Sequence, residues 1–402
     1  MLRRNIWTGV LGSVSMTFLM GGVFFTTYCQ RMGMESYQFG VMSTLIYMMM
    51  PLSLLSASLE EWFGQRKYPW FILASMSRLV LIPLVLGFFM PLAPWVIVAL
   101  LVGVVALARL CTPLWESWTW DYIPSETFGK FTARRNFWTT LARTVVAVGA
   151  GLAVHATEPS HRVQTISLFF GLLLVLGFID LAYHVQIPEP PRQAPSSKGI
   201  RKFAEALRNR PFRNLLFSLG LWYFAIFLCS PFCIPYMTKE LGFGRNLISA
   251  ILLAHVLPAV GTLLALPLWG KIADRRHPGA ILGTCCLFWA SIPIFYYLAE
   301  PGGVAALALA WGVAGIFPAG YMVVLPLLTR KLSGADKTMP AALVAVVVSL
   351  GAMSGSGVGT AIVHAGEVRD AFAVSFVARV TAALIMLFLL VARPAFRNLR
   401  SA

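Results

Sequence analysis

Seven ionisable side chains stand inside otherwise apolar runs of this chain: Arg78, Arg109, Glu116, Arg143, Asp180, His255 and Arg379. Each charge of this kind costs about 2.5–3.5 kcal/mol at the centre of a bilayer, so such residues persist where they pair, bind or relay ions. Arg109 and Glu116 are two turns apart on one helix face, roughly 10 Å along the axis. Arg143 enters the next apolar run at a depth between them. The three form a candidate cluster that would pair its charges in one state and expose them to a substrate or coupling ion in another. The plainer reading is structural, with Glu116 resting among Trp115, Trp118 and Trp120 at the membrane interface. Arg78 and Asp180 share a depth and suit a structural ion pair between two helices. His255 could titrate near neutral pH and couple solute movement to protons, or simply be hydrogen-bonded in a polar pocket. Arg379 has no evident partner. Four arginines against two carboxylates in these runs would favour an anionic substrate.

Other chemistries lack their residues. No His-Glu-x-x-His, paired Asp-x-x-Asp or Gly-x-x-x-x-Gly-Lys pattern occurs, which argues against an enzyme, a nucleotide-driven pump, a cofactor or a metal site. Cys229 and Cys233 share a helix face at one-turn spacing, a spacing that could hold a soft metal. No histidine or second cysteine pair accompanies them, and packing is the expected role. The spacing of the six cysteines suggests no disulfide framework.

The elements that must position these groups are membrane helices. Hydrophobic residues make up 58% of the 402 and charged residues only 12%, about half the share usual in soluble domains. Runs such as 96–108, 168–179 and 382–392 are apolar around the whole helix, and with their flanks approach the ~20 residues that cross a bilayer. Twelve spans are expected near 6–29, 37–59, 68–90, 92–115, 137–157, 163–187, 214–237, 246–269, 279–299, 303–328, 339–364 and 371–392. The basic start, Met1 to Arg4, lacks a cleavage pattern and reads as the entrance to the first span.

The net charge of +16 is distributed as orientation, not as a nucleic-acid surface. On this span map 23 of the 32 Lys and Arg residues fall on the side of the N-terminus, five on the other side and four within spans. That is the positive-inside asymmetry, and it places both termini in the cytoplasm of a multi-pass inner-membrane protein.

The chain divides into 1–187, a linker at 188–212, and 213–402. The linker is rich in proline, and Ile200, Phe203, Ala204 and Leu207 give it a short basic amphipathic helix suited to an anionic lipid surface. Each half carries a charged loop after its second span. The first runs from Ala57 to Lys67 and includes Glu61, Gly64 and Arg66; the second contains Gly270, Asp274 and Arg275. Arg4-Asn5 before the first span is echoed by Arg213-Asn214 before the seventh, which supports parallel repeats.

These loops resemble the Gly-x-Leu-Ala-Asp-Arg-x-Gly-Arg-Arg motif of the major facilitator superfamily. Gly270, Ile272, Ala273, Asp274 and Arg275 fall on the pattern, with His277 for the second glycine. The first copy keeps Leu59, Gly64 and Arg66 but has Ala57 for glycine and Glu61 for aspartate. A further segment, Trp115 to Pro124 leading through Phe128 to Asn136, is similar to the loop after helix 4 in a bacterial group of unassigned substrate. It contributes Asp121, Arg134 and Arg135 as gating residues, with Phe128 where an arginine is usual. The resemblance implies an all-α membrane protein of twelve helices in two six-helix bundles. It also implies a cavity lined by helices 1, 4, 7 and 10, which would present Trp222, Tyr223 and Tyr321 among its aromatics for stacking or packing. Gly351, Gly355 and Gly359 form a small face for close helix approach.

The implied function is secondary transport of a small solute, proton-coupled or coupled to another ion, by a monomer in the lipid bilayer. An anionic or sugar-like substrate is weakly preferred. Drug or metabolite efflux is the alternative, disfavoured because the fifth span lacks proline and Leu101 replaces an arginine common in helix 4 of relatives. A transport-incompetent sensor or scaffold is the other alternative.

Overall fold

Apolar runs become helices here, and prolines decide where those helices break. The computed structural model describes residues 2–19, 22–120, 125–158, 160–189, 207–332 and 338–392, and among these there are helices and turns but no strand. Ten spans among the described residues are long and apolar enough to cross a membrane, from Lys67–Leu86 to Val368–Val391.

Two compact units are formed. The first comprises Met1–Gln38, Met49–Ala194 and Phe243–Leu252; the second comprises Phe39–Met48, Pro195–Gly242 and Leu253–Ala402. The first unit holds α1 (Leu2–Leu19), α2 (Gly22–Arg31), α4 (Ser56–Phe63), α5 (Lys67–Leu79), α6 (Ile82–Leu86), α7 (Pro94–Trp120), α8 (Ser125–Ala156), α9 (Arg162–Val185) and α12 (Leu247–Ile251). Part of its core is Trp70, Ala74, Cys111, Leu114, Trp118 and Leu181. The second unit holds most of α3 (Ser36–Met48) with α10 (Arg210–Phe227), α11 (Ser230–Lys239), α13 (Leu257–Arg275), α14 (Pro278–Trp289), α15 (Ile292–Tyr297), α16 (Val304–Leu332), α17 (Thr338–Ala365) and α18 (Val368–Leu387). Each unit therefore takes in a short piece from the other half of the sequence. Ile251 of α12 packs against Gly151 of α8, and Ser356 of α17 donates to the Gly40 carbonyl of α3 at 3.0 Å.

Several expected spans are interrupted, and a proline stands in the first turn after each of five interruptions: Pro51, Pro83, Pro231, Pro258 and Pro293. Proline tolerates that position because the first-turn N–H has no helical partner, but it cannot prolong the helix before it. Ahead of Pro258 the chain takes a π-helical turn, Leu252–Val256. In the other direction, the stretch expected as a loop after helix 4 is helical: α7 runs to Trp120 and α8 begins at Ser125, twelve residues before the expected span. Glu116 at the end of α7 and Glu126, Lys130, Ala133, Arg134 and Arg135 at the start of α8 are helix-favouring residues in a stretch that is otherwise mixed in propensity. Residues 121–124 and most of the linker, including its expected amphipathic helix, lie outside the described residues.

Side chains from neighbouring helices bond to carbonyls near the kinks. Ser56 Oγ donates to the Leu110 carbonyl (2.8 Å) beside Pro113, and Tyr28 Oη to Leu84 (3.0 Å) beside Pro83. Thr262 Oγ1 and Trp269 Nε1 donate to Gly315 and Ile316 (both 2.9 Å) beside Pro318. Ser375 Oγ donates to Ala225 (2.7 Å), near the break between α10 and α11.

The glycine face of α17 is used against α10. A Cβ at Gly351, Gly355 or Gly359 would strike the backbone carbonyl of Gly220, Phe224 or Leu228 in turn, whereas one at Gly312 of α16 meets nothing. Gly355→Val is accordingly expected to destabilise the protein by about 1–3 kcal/mol or to prevent its folding, since overpacking here is against backbone. Gly312→Ala is the control. Thermal unfolding in detergent checks both, and equal midpoints would refute the close-packing account.

Candidate functional site

In the first unit, the buried charges of α5 and α9 are tied together. Arg78 Nη2 lies 3.2 Å from Asp180 Oδ2, and both side chains are buried. Two further guanidinium nitrogens reach carbonyls: Nη1 donates to Ala74 at 2.9 Å and Nε to Gly177 at 3.2 Å. α1 passes close to the carboxylate because residue 12 is glycine; a Cβ there would sit 2.9 Å from Asp180 Oδ2.

The same carboxylate faces a residue that sequence reasoning passed over. His184, one turn beyond Asp180 on α9, is buried, with Nδ1 2.9 Å from the Asp180 carbonyl oxygen and 3.1 Å from Oδ1. Alignment favours the carbonyl as acceptor. Trp115 Nε1 donates to His184 Nε2 at 3.0 Å. An indole N–H can only donate, so Nε2 must be the unprotonated nitrogen and Nδ1 carries the hydrogen. The ring is packed by Trp70, with centroids 4.6 Å apart, and by Trp118 at 6.2 Å. His255 is thus not the sole deep histidine. The available signal was the i, i+4 spacing of Asp180 and His184 on an apolar helix.

The first charged loop is held by the residues that follow α9. α4 ends at Gly64, whose φ of +65° is the left-handed conformation that favours glycine at a helix end. Arg66 is buried, and the Glu189 carboxylate accepts from the Arg66 and Lys67 backbone N–H groups at 2.7 and 3.1 Å and meets Arg66 Nε at 3.4 Å. An anion at the first turn of α5 satisfies its orphan donors and its dipole together. Glu189 was not singled out from sequence; the run Pro188-Glu189-Pro190 was read only as linker.

Other expected site residues are placed by the backbone. Arg109 and Arg143 are partly buried on α7 and α8, and Pro113 lies between Arg109 and Glu116. The side chains of Glu61, Glu116, Asp121, Arg134 and Asp274 lie outside the described residues, and with Glu116 so does the proposed three-residue cluster. Arg135 packs over the Trp115 ring at 4.7 Å. Gly270 has open space about it, and Arg275 is exposed in the last turn of α13.

In the second unit the expected aromatics form one run. Trp222 packs on Trp289 (5.6 Å), Trp289 on Tyr321 (5.7 Å), Tyr321 on Tyr223 (6.4 Å), and Tyr223 on Phe227 (6.4 Å). Trp222 is fully buried and Tyr321 nearly so, which makes them core residues, while Tyr223 keeps partial exposure. His255 stands on the π-helical turn, partly buried.

Comparison with known proteins accords with this architecture. The sequence model of the Major Facilitator Superfamily matches residues 215–401. The structure superposes on that of a mutant form of the nucleoside transporter NupG with a TM-score of 0.73 at 11% identity, covering 96% of this chain and 99% of that one. It superposes on a D-xylose–proton symporter with a TM-score of 0.70 at 16% identity, covering 99% and 98%. A bacterial homolog of the human lysosomal transporter Spinster gives 0.67 at 14% identity, covering 96% of each chain. The chain has the major facilitator superfamily fold. No curated protein matches it by sequence.

Within this major facilitator fold the Arg78–Asp180 pair and the Glu189 contact make separate energetic statements. Asp180→Leu leaves a guanidinium buried without its counter-charge, and a loss of about 3–5 kcal/mol is expected; Arg78→Met with Asp180→Leu should recover most of it. Thermal unfolding of the two variants checks this, and an equally unstable double variant would contradict it. Glu189→Ala removes an acceptor from two helix-start donors. It should cost about 0.5–2 kcal/mol, read from the same melts.

Proposed function

We propose that this chain is a secondary transporter. It moves a small solute across the inner membrane by alternating access, through rocking of two six-helix bundles at residues 1–187 and 213–402. Twelve spans, cytoplasmic termini and a monomeric unit in lipid belong to the same proposal. The observation that carries it is the major facilitator fold, which extends over 96% of this chain on a nucleoside transporter and 99% of it on a xylose–proton symporter. The arginine excess on one side of the span map supports the orientation.

For the solute, Tyr223 offers a partly exposed ring and hydroxyl at the edge of the aromatic run, suited to a sugar or nucleoside-like molecule. Nucleoside and xylose transport by proteins of this fold adds to that preference. Proton coupling is assigned to His255, a partly buried imidazole on the π turn, because histidine is the side chain type suited to relaying protons at physiological pH.

Uptake of labelled nucleosides, pentoses and organic anions into proteoliposomes, with and without an alkaline interior, tests the proposal. Saturable uptake of a sugar or nucleoside is expected, raised by the pH gradient. Tyr223→Ala should weaken apparent affinity, and His255→Asn should remove the gradient's effect while leaving exchange intact. Flux confined to organic anions would refute the solute assignment, and no flux of any solute would favour a scaffold.

A further inference from the structure

The span Arg210–Lys239 is interrupted near its middle, and three side chains of the second unit meet there. α10 ends at Phe227, α11 starts at Ser230, and Cys229 is the capping residue of α11. Cys233 follows one turn later, and its sulfur lies 3.5 Å from the Cys229 carbonyl oxygen. Arg379 of α18, 2% exposed, enters from the side. Its Nη2 is 3.0 Å from the Ile226 carbonyl and 3.3 Å from Cys229 Sγ, and its Nε is 3.1 Å from Ser375 Oγ. Among the described residues no carboxylate forms an ion pair with Arg379.

A guanidinium held in a membrane bundle without an anion is costly, and the nearest group able to carry negative charge is the Cys229 thiol. Two sulfurs one turn apart, with no cluster of three or more His, Cys, Asp or Glu ligands among the described residues, do not make the four-ligand set of zinc. Thiol sulfurs are, however, the donors that soft ions such as Cu(I) select. We propose that Cys229 and Cys233, with Arg379 as fixed counter-ion, form a two-coordinate site for a soft monovalent cation of the Cu(I) or Ag(I) class. The ion bonds to both sulfurs and displaces their thiol protons, which leave to solvent; no electron is transferred. The bis-thiolate complex carries one negative charge, which Arg379 balances. Cys233 is only partly buried, while Cys229 is enclosed.

The probe is Ag(I), titrated into the full chain in detergent against a chromophoric competitor. Wild type is expected to show one tight ion beyond the stoichiometry of the C229S/C233S double variant, with thiol protons released as it binds. Arg379→Gln should weaken that ion about 10-fold or more, as expected for a partner outside the ligand set. Cys285→Ser with Cys286→Ser, in the core of α14, should leave it unchanged. Equal stoichiometry in wild type and the double variant, or an unaltered affinity in Arg379→Gln, overturns the proposal. Because Arg379 variants can fail to fold, a second measurement uses wild type alone. One equivalent of Ag(I) should protect Cys233 from maleimide alkylation, read by peptide mass spectrometry, and unprotected alkylation also overturns the proposal.

Discussion

A backbone carbonyl deprived of its helical partner inside a membrane has no water to turn to, and this constraint organises much of the chain. Prolines at the starts and in the interiors of spans create such carbonyls repeatedly. Side chains of adjacent helices donate to carbonyls beside these prolines and breaks: Ser56, Tyr28, Thr262, Trp269, Ser375 and Arg379, each at 2.7–3.0 Å. Each such bond joins two segments at a defined height. The kinks therefore serve as cross-links between helices, which apolar packing alone cannot supply when lipid is as apolar as the side chains.

The two units meet their charges differently. In the first, Arg78 is matched by Asp180, and its Nη1 and Nε also donate to carbonyls on α5 and α9, so the charge is neutralised within the protein. The indole of Trp115 then fixes the hydrogen of His184, extending the tie to α7. In the second, Arg379 has carbonyl, hydroxyl and thiol partners but no carboxylate among the described residues. The close approach of α10 to α17 at glycines is a third kind of tie, made by backbone contact with no polar side chain.

The long apolar runs were legible in the sequence because their composition is uniform around the helix, which needs no tertiary information. Their interruptions were less so. Pro231 and Pro293 change the path, whereas Pro113 and Pro267 lie within continuous helices, and nothing local separates the two cases. A donor from a neighbouring helix does not separate them either, since Ser56 approaches the Pro113 helix and Ser375 the Pro231 break alike. Arg78 and Asp180 stood out because charge in an apolar run is conspicuous. His184 and Glu189 did not, since a histidine near a span end and a glutamate among prolines look like ordinary interfacial residues. Their importance lies in partners 69 to 123 residues away, Trp115 and Arg66.

The breaks also separate what holds the fold from what remains free to act. At the α10–α11 break the carbonyls of Ala225 and Ile226 are already taken by Ser375 and Arg379, so that backbone has little left for a solute. A solute near this break must instead use side chains, and Tyr223, one turn before the end of α10, is the partly exposed one in the aromatic run. The π turn before Pro258 shifts the helix register by one residue, which changes the face on which His255 stands relative to the residues after it. Register and exposure, not charge alone, therefore single out Tyr223 and His255, while Trp222 and Tyr321, equally prominent as aromatics, are committed to the core.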